Sequence, residues 1–98
     1  MRLIFQREAQ AELTDVAQYY QNQAQGLGIQ FLDAVDAALA RIALAPILNR
    51  VHRFGARRAF VERFPYSVYY RVFPDHIQIL ALHHHSRRPG YWRSRFKE

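Results

Sequence analysis

The chain begins with a short apolar run, after which the apolar positions recur at helical spacing. Residues 2–5 form a short, largely apolar run that is typical of a strand. The next apolar positions predict one face of a helix: Ala9, Leu13, Val16, Ala17, Tyr20 and Ala24. Gly26 and Gly28 are expected to stop this helix, because glycine favours the left-handed turn that follows a helix end.

A second helical pattern follows and ends at a proline. Its apolar positions are Phe31, Leu32, Val35, Ala38, Leu39 and Ile42. Pro46 should end this helix, since the residue before a proline avoids the helical region. Two helices of about five turns, joined by a Gly-Leu-Gly turn, are expected to form an antiparallel hairpin.

Beyond Pro46 the pattern becomes extended. Residues 58–64 alternate and end at Pro65, and residues 66–73 place side chains alternately on two faces. Residues 77–83 are the most apolar run and predict an interior strand. The order β-α-α-β-β-β predicts a single α+β domain over residues 1–98. In it the helical hairpin packs on one face of a small, twisted, mainly antiparallel sheet.

Charge divides the chain into unlike halves. Residues 1–49 carry three basic and five acidic residues, a net charge of −2. Residues 50–98 carry eleven basic and three acidic residues, a net charge of +8, and thirteen of the fourteen basic residues in the whole chain are arginine. Arginine binds phosphate or carboxylate through a planar fork. We therefore expect an anionic partner for the C-terminal half: nucleic acid, an acidic protein segment, or both.

The compartment and cofactor content follow from what the sequence lacks. It contains no cysteine, which suits a reducing compartment, and no apolar run near the ~20 residues of a membrane span. Its first residues show no signal-peptide pattern. We expect a cytoplasmic protein that contacts no membrane and needs no cofactor.

Candidate chemistry is concentrated in residues 82–95, LHHHSRRPGYWRSR. His83 and His85 would face one side of a continuing strand, beside the arginines that follow, and histidine titrates near neutral pH. They could act on a phosphodiester; alternatively, one packs at the sheet end and the others are solvated. The same pair offers two zinc ligands without an evident third, so no metal site is predicted. Pro89 is expected to turn the chain, and Tyr91 and Trp92 to anchor the tail on the domain's edge.

Six motifs in a fixed order resemble a known family. They are A-x-x-E-L-x-x-x-A-x-Y-Y at 9–20, A-P at 45–46, G-x-R-R at 55–58, F-P-Y-x-V-x-Y-x-V at 64–72, I-x-I-L-A-L-x-H at 77–84 and R-R-P-x-Y-W-x-x-R at 87–95. Together they resemble the RelE/ParE superfamily of bacterial toxins from type II toxin–antitoxin modules. The ParE-like, or plasmid-stabilisation, branch is the most similar, and the resemblance spans nearly the whole chain.

The resemblance implies a growth-inhibiting toxin that binds DNA gyrase. A cognate antitoxin would hold it inactive through an acidic or partly disordered C-terminal segment, and DNA would be contacted only through that antitoxin. The expected target surface is Arg57, Arg58, Arg87, Arg88, Trp92, Arg93 and Arg95. The expected antitoxin contacts are Leu13, Tyr20, Phe31, Val35 and Arg71.

The superfamily also contains ribosome-dependent messenger-RNA endoribonucleases, and this activity is the alternative to gyrase inhibition. Resemblance to these matches Arg58 and Arg87 to basic positions and Tyr91 roughly to a C-terminal tyrosine, but places Phe60 and Ser67 where basic residues are expected. The candidate catalytic set under this alternative is Arg58, His83, His85, Arg87 and Tyr91.

Two further hypotheses rest on the basic charge itself. Direct binding to duplex DNA would use phosphate contacts from Arg50, Arg53, Arg57, Arg58 and Arg63. The sequence shows no helix-turn-helix or zinc-finger spacing, and the two predicted helices are the least basic part of the chain. A basic interaction module without toxicity is the remaining alternative.

Overall fold

The predicted order of elements is confirmed. The computed structural model describes residues 1–88 and 90–95, apart from the side chain of Arg53, so the expected turn at Pro89 lies outside the described residues. The helices and strands are β1 Arg2–Phe5, α1 Arg7–Gln23, α2 Leu27–Leu44, β2 Arg57–Phe60, β3 Tyr66–Val72 and β4 His76–His84. Short 3-10 turns occupy Arg53–Gly55 and Arg93–Arg95.

The four strands form one mixed sheet in the order β1-β4-β3-β2. β3 pairs antiparallel with both β2 and β4, as the short links predicted. β1, from the opposite end of the chain, pairs parallel with β4. The most apolar strand, β4, is therefore interior over the length of β1, but β1 is only four residues long and β4 is nine.

The apolar core lies between the helical hairpin and one face of the sheet, which we call the helix-side face. Its buried residues include Phe31, Val35, Ile42, Val68, Tyr70, Ile77 and Ile79. The ring of Phe31 meets those of Phe64 and Tyr66 edge to face, with centroids 5.1 and 5.5 Å away. Most of the apolar positions predicted on the two helices thus face the sheet. The exceptions are Leu32, which is 36% exposed, and Ala24, which is exposed.

A β-bulge decides which side chains reach the opposite face, which we call the far face. Tyr69 pairs with Ala81 and Tyr70 with Ile79, so Leu80 is an extra residue in β4. Leu80 and Ala81 consequently join one small cluster on the far face, while Ile79 belongs to the main core. Strict alternation from Ile79 would have placed residue 83 on the helix-side face, and the bulge moves it to the far face.

The hairpin turn contains one of the two glycines that were assigned to it. Gly26 has a φ of 86° and precedes α2. Gly28, in contrast, lies inside the first turn of α2, so its predicted place in the turn is wrong. A Cβ at residue 28 would lie 2.6 Å from the carbonyl oxygen of Ala17 in α1. Gly28 is needed because the two helices approach closely there.

β2 is shorter than the predicted strand over residues 58–64. It ends at Phe60, and the amide of Val61 donates to the Tyr66 carbonyl oxygen at 3.0 Å. Arg63 has a φ of 72°, in the left-handed region. Residues 61–65 therefore form a tight turn into β3, because the chain must reverse direction before Pro65.

No helix among the described residues is long and apolar enough to cross a membrane.

Candidate functional site

Residues 90–95, which we call the tail, pack on part of the far face of the sheet. Trp92 is fully buried, and its ring centroid lies 4.5 Å from that of Tyr69. Ala56, Leu80 and Ala81 complete this second, smaller core. Trp92 was expected both to anchor the tail and to belong to the target surface. Its buried position agrees with the anchoring role and leaves no side-chain surface for a partner.

The edge of β4 beyond the end of β1 is closed by side chains instead of a strand. The last backbone bond on this edge runs from the amide of Gln6 to the Ile79 carbonyl, at 2.9 Å. Beyond it, the Leu82 amide donates to Glu12 Oε1 at 3.0 Å. Arg95 donates to the Leu80 carbonyl at 3.0 Å, and the Tyr91 hydroxyl donates to the Leu82 carbonyl at 3.3 Å. These bonds satisfy backbone groups that would otherwise offer an open sheet edge.

Glu12 also joins the tail directly to α1. Its carboxylate accepts from the Tyr91 hydroxyl at 2.8 Å and from two nitrogens of Arg95 at 3.0 and 3.1 Å. The guanidinium carbon of Arg87 lies 3.5 Å from the centre of the Tyr91 ring. Burial, and then the bond to Glu12, raise the pKa of Tyr91. Its phenol therefore stays protonated and acts as a hydrogen-bond donor at neutral pH.

The three adjacent histidines occupy three different environments. His83 is buried on the far face, and its Nε2 donates to the Arg87 carbonyl at 3.1 Å. Burial lowers its pKa, so the ring is neutral at neutral pH. His84 packs edge to face on Tyr66, on the helix-side face. His85 lies beyond the strand end and meets Ser67 Oγ through Nε2 at 2.9 Å.

The five candidate residues of the endoribonuclease alternative therefore do not form one exposed site. Tyr91 is engaged by Glu12, and His83 is buried against Tyr69 and Tyr91. Arg87 lies over the Tyr91 ring, whereas Arg58 and His85 both contact the Phe60 ring. Across residues 1–88 and 90–95, no three histidine, aspartate or glutamate side chains could together hold a metal ion.

The arginines expected on the target surface divide into structural and exposed groups. Arg57 donates to the Asn49 carbonyl at 2.6 Å and fixes the loop after α2, while Arg95 is bound to Glu12. Arg87 keeps 54% of its side chain exposed, and Arg88 is exposed. Arg93 is also exposed, with its guanidinium carbon 4.6 Å from the centre of the Phe54 ring.

The predicted antitoxin contacts divide in a similar way. Phe31 and Val35 are 0% and 2% exposed and belong to the core, so neither offers its side chain to a partner. Leu13 and Tyr20 are partly buried at the edge of that core. Arg71 is partly buried, with its guanidinium carbon 5.2 Å from the centre of the Phe73 ring.

A groove that the apolar pattern did not predict lies on the outer side of the helical hairpin. It has a volume of about 440 Å³ and is lined by Gln10, Leu13, Thr14, Ala17, Gln18, Gln21, Gly28, Ile29 and Leu32. Ile29 is 63% exposed and Leu32 is 36% exposed. The available signal was Ile29, an apolar residue that lies off the core-facing stripe of α2.

The chain folds as a helical hairpin on a four-stranded mixed sheet, and its tail closes one sheet edge. This architecture agrees with the class of toxins that the motifs indicate, the RelE/ParE superfamily. Residues 3–89 match the family model described as ParE toxin of type II toxin-antitoxin system, parDE. The chain therefore belongs to the ParE toxin family, and its assignment as the toxin of a type II toxin–antitoxin module is confirmed.

A solved structure supports the assignment. The fold is similar to a chain of the chromosomal ParDE TA system from P. aeruginosa, with a TM-score of 0.64 and 26% sequence identity. The similarity covers 86% of this chain and 95% of that chain. Comparison with curated proteins gave no match.

Proposed function

We propose that this toxin inhibits growth by binding DNA gyrase in the cytoplasm, and that a cognate antitoxin neutralises it. The observation that carries the proposal is the match of residues 3–89 to the ParE toxin model, since gyrase inhibition is the general function of that family. The alternative of RNA cleavage has less support, because the candidate acid–base groups Tyr91 and His83 are engaged inside the fold.

The exposed arginines that follow β4 and lie in the tail form the proposed gyrase surface. Arg87, Arg88 and Arg93 are exposed, and Arg87 is held in place over the ring of Tyr91. A cation fixed on an aromatic ring loses less side-chain freedom when it binds. Arg95 and Trp92 contribute indirectly, by fastening the tail to α1 and the sheet.

The experiment is a supercoiling assay with purified gyrase, relaxed plasmid and the purified toxin. We expect supercoiling to fail, and Arg87→Gln/Arg88→Gln to raise the half-inhibitory concentration by about tenfold. Arg7→Gln removes an exposed charge from the start of α1 and serves as the control, with wild-type potency expected. Unimpaired supercoiling together with cleaved messages in a translation extract would establish the endoribonuclease alternative instead.

The proposed antitoxin site is the groove between α1 and α2. It presents Leu13, Ile29 and Leu32 beside uncharged polar side chains, and such a groove suits the apolar face of a helix from the antitoxin. The partner to test is the protein encoded beside the toxin gene. Ile29→Glu should prevent that protein from relieving gyrase inhibition while inhibition itself persists. If the antitoxin relieves inhibition by Ile29→Glu at the same concentration at which it relieves inhibition by the wild-type toxin, the antitoxin binds elsewhere.

A further inference from the structure

A basic cleft lies beside β2, at a distance in sequence from the tail arginines. It has a volume of about 440 Å³ and is lined by Asn49, Arg50, His52, Arg58 and Phe60. None of these five residues is acidic; two are arginines and a third is a histidine. Such a lining favours an anion that bears several oxygens, because guanidinium groups bind phosphate through paired donors.

Phe60 supplies a flat apolar surface at the edge of the same cleft. Its side chain is 56% exposed, although phenylalanine is usually buried. The guanidinium carbon of Arg58 lies 4.8 Å from the ring centre, and the His85 ring meets it at 89° with centroids 5.8 Å apart. An exposed aromatic plane beside a guanidinium group is the combination with which proteins stack an unpaired base while holding its phosphate.

The backbone that carries the cleft is fixed by internal bonds. Arg57 donates to the Asn49 carbonyl at 2.6 Å, and the Asn49 amide group donates to the Tyr70 hydroxyl at 3.2 Å. The His52 amide donates to the Ala56 carbonyl at 2.6 Å. Arg58 and Phe60 project from β2 itself. A ligand would therefore meet an already ordered site and lose little free energy in ordering it.

We propose that this cleft binds single-stranded nucleic acid, with Arg50 and Arg58 on a phosphate and Phe60 stacked on an adjoining base. This goes beyond gyrase inhibition and departs from the expectation that DNA is contacted only through the antitoxin. An acidic peptide would use the arginines but not the aromatic plane, and the bases of an intact duplex do not expose their faces. The proposal concerns binding of the strand and includes no cleavage step.

The test is fluorescence anisotropy with the purified toxin and labelled 12-nucleotide probes, oligothymidine and oligouridine, titrated over a range of salt concentrations. We expect at least one probe to bind, and Phe60→Leu to weaken that binding about fivefold or more. Arg58→Gln should lower the slope of log affinity against log salt by about 0.7, the value for one phosphate contact with a single strand. Arg7→Gln should change neither the affinity nor the slope.

The two probes separate DNA from RNA as the source of the strand, and binding of either supports the proposal. A duplex of the same length, or a polyglutamate peptide, that binds more tightly than both single strands would overturn it. So would unchanged affinity in Phe60→Leu when circular dichroism shows that the variant is folded. The supercoiling assay on the same variant distinguishes this outcome from a failure of the gyrase proposal.

Discussion

Glu12 and Arg95 are 83 positions apart in the sequence, yet their side chains form a two-point ion pair at 3.0 and 3.1 Å. The two side chains are only 16% and 15% exposed. Solvent therefore screens this pair much less than an ordinary surface salt bridge. The pair connects α1 to the tail at the place where β1 has ended, and it closes the β4 edge there.

Glu12→Gln should lower the free energy of unfolding by about 2–4 kcal/mol, because it leaves the Arg95 guanidinium largely buried without its counter-charge. Urea denaturation followed by the fluorescence of Trp92, the single tryptophan, measures this loss. Glu8→Gln is the matched control, since Glu8 is exposed on the same helix. Its expected change is within about 0.5 kcal/mol.

The double substitution Glu12→Leu/Arg95→Leu tests whether the two residues act as a pair. The comparison is with the single variants Glu12→Leu and Arg95→Leu. Removing both charges removes the desolvation penalty of both, so the double variant should lose less free energy of unfolding than the sum of the losses in the two single variants. A double variant whose loss equals that sum would show that the ion pair does not couple α1 to the tail.

Local sequence patterns were sufficient to predict most of the fold. Helical periodicity identified both helices, alternation identified β3, and apolar runs identified β1 and β4, while proline marked the end of α2. The length of β2 was not predictable in this way, because the alternation of residues 58–64 continues through the turn. Nor was the bulge at Leu80, which depends on the pairing of β4 with β3.

The candidate site was less predictable, because its contacts join distant parts of the chain. The motifs indicated that Tyr91 would anchor the tail, but its partner Glu12 lies in the first helix. The expected antitoxin contacts Phe31 and Val35 came from resemblance. Their four-residue spacing, on the stripe continued by Ala38 and Ile42, already indicated the core face of α2.

The two sides of α2 should respond differently to truncation. Phe31→Ala is expected to lower the free energy of unfolding by about 3–5 kcal/mol, because Phe31 is fully buried among other rings. Ile29→Ala should change it by less than about 0.5 kcal/mol, since Ile29 is 63% exposed. Chemical denaturation of both variants measures the difference. Similar losses would contradict the assigned orientation of α2.

The two glycines near the hairpin turn should also differ. Gly28→Ala places a methyl group 2.6 Å from the Ala17 carbonyl oxygen, so the helices must separate. We expect a loss of about 2–3 kcal/mol. Gly26→Ala meets no atom within 4 Å and is strained only by its φ of 86°. Its expected loss is about 1 kcal/mol. Thermal or urea unfolding ranks the pair, and the reverse ranking would contradict close packing of the helices at residue 28.

The stability of the far face should depend on pH through His83. Burial lowers the pKa of this ring below its ordinary value of 6.5, against the bond to the Arg87 carbonyl, which raises it. The charges of Arg87 and His85 lower it further, and Glu12 raises it. Below pH 6.5 the unfolded chain therefore binds more protons at this residue than the folded protein does. The contribution of neutral His83 is complete above that pH and is lost as the pH falls below it.

His83→Gln should accordingly reduce the loss of unfolding free energy between about pH 7.5 and about pH 5.5, because glutamine does not titrate. Urea denaturation of wild type and variant at the two pH values gives this difference, and groups that titrate equally in both proteins cancel. His84→Gln, at the neighbouring position on the helix-side face, is the control and should keep most of the wild-type loss. An equal loss of unfolding free energy in wild type and His83→Gln would show that the pH dependence arises from the titration of another group and not from His83.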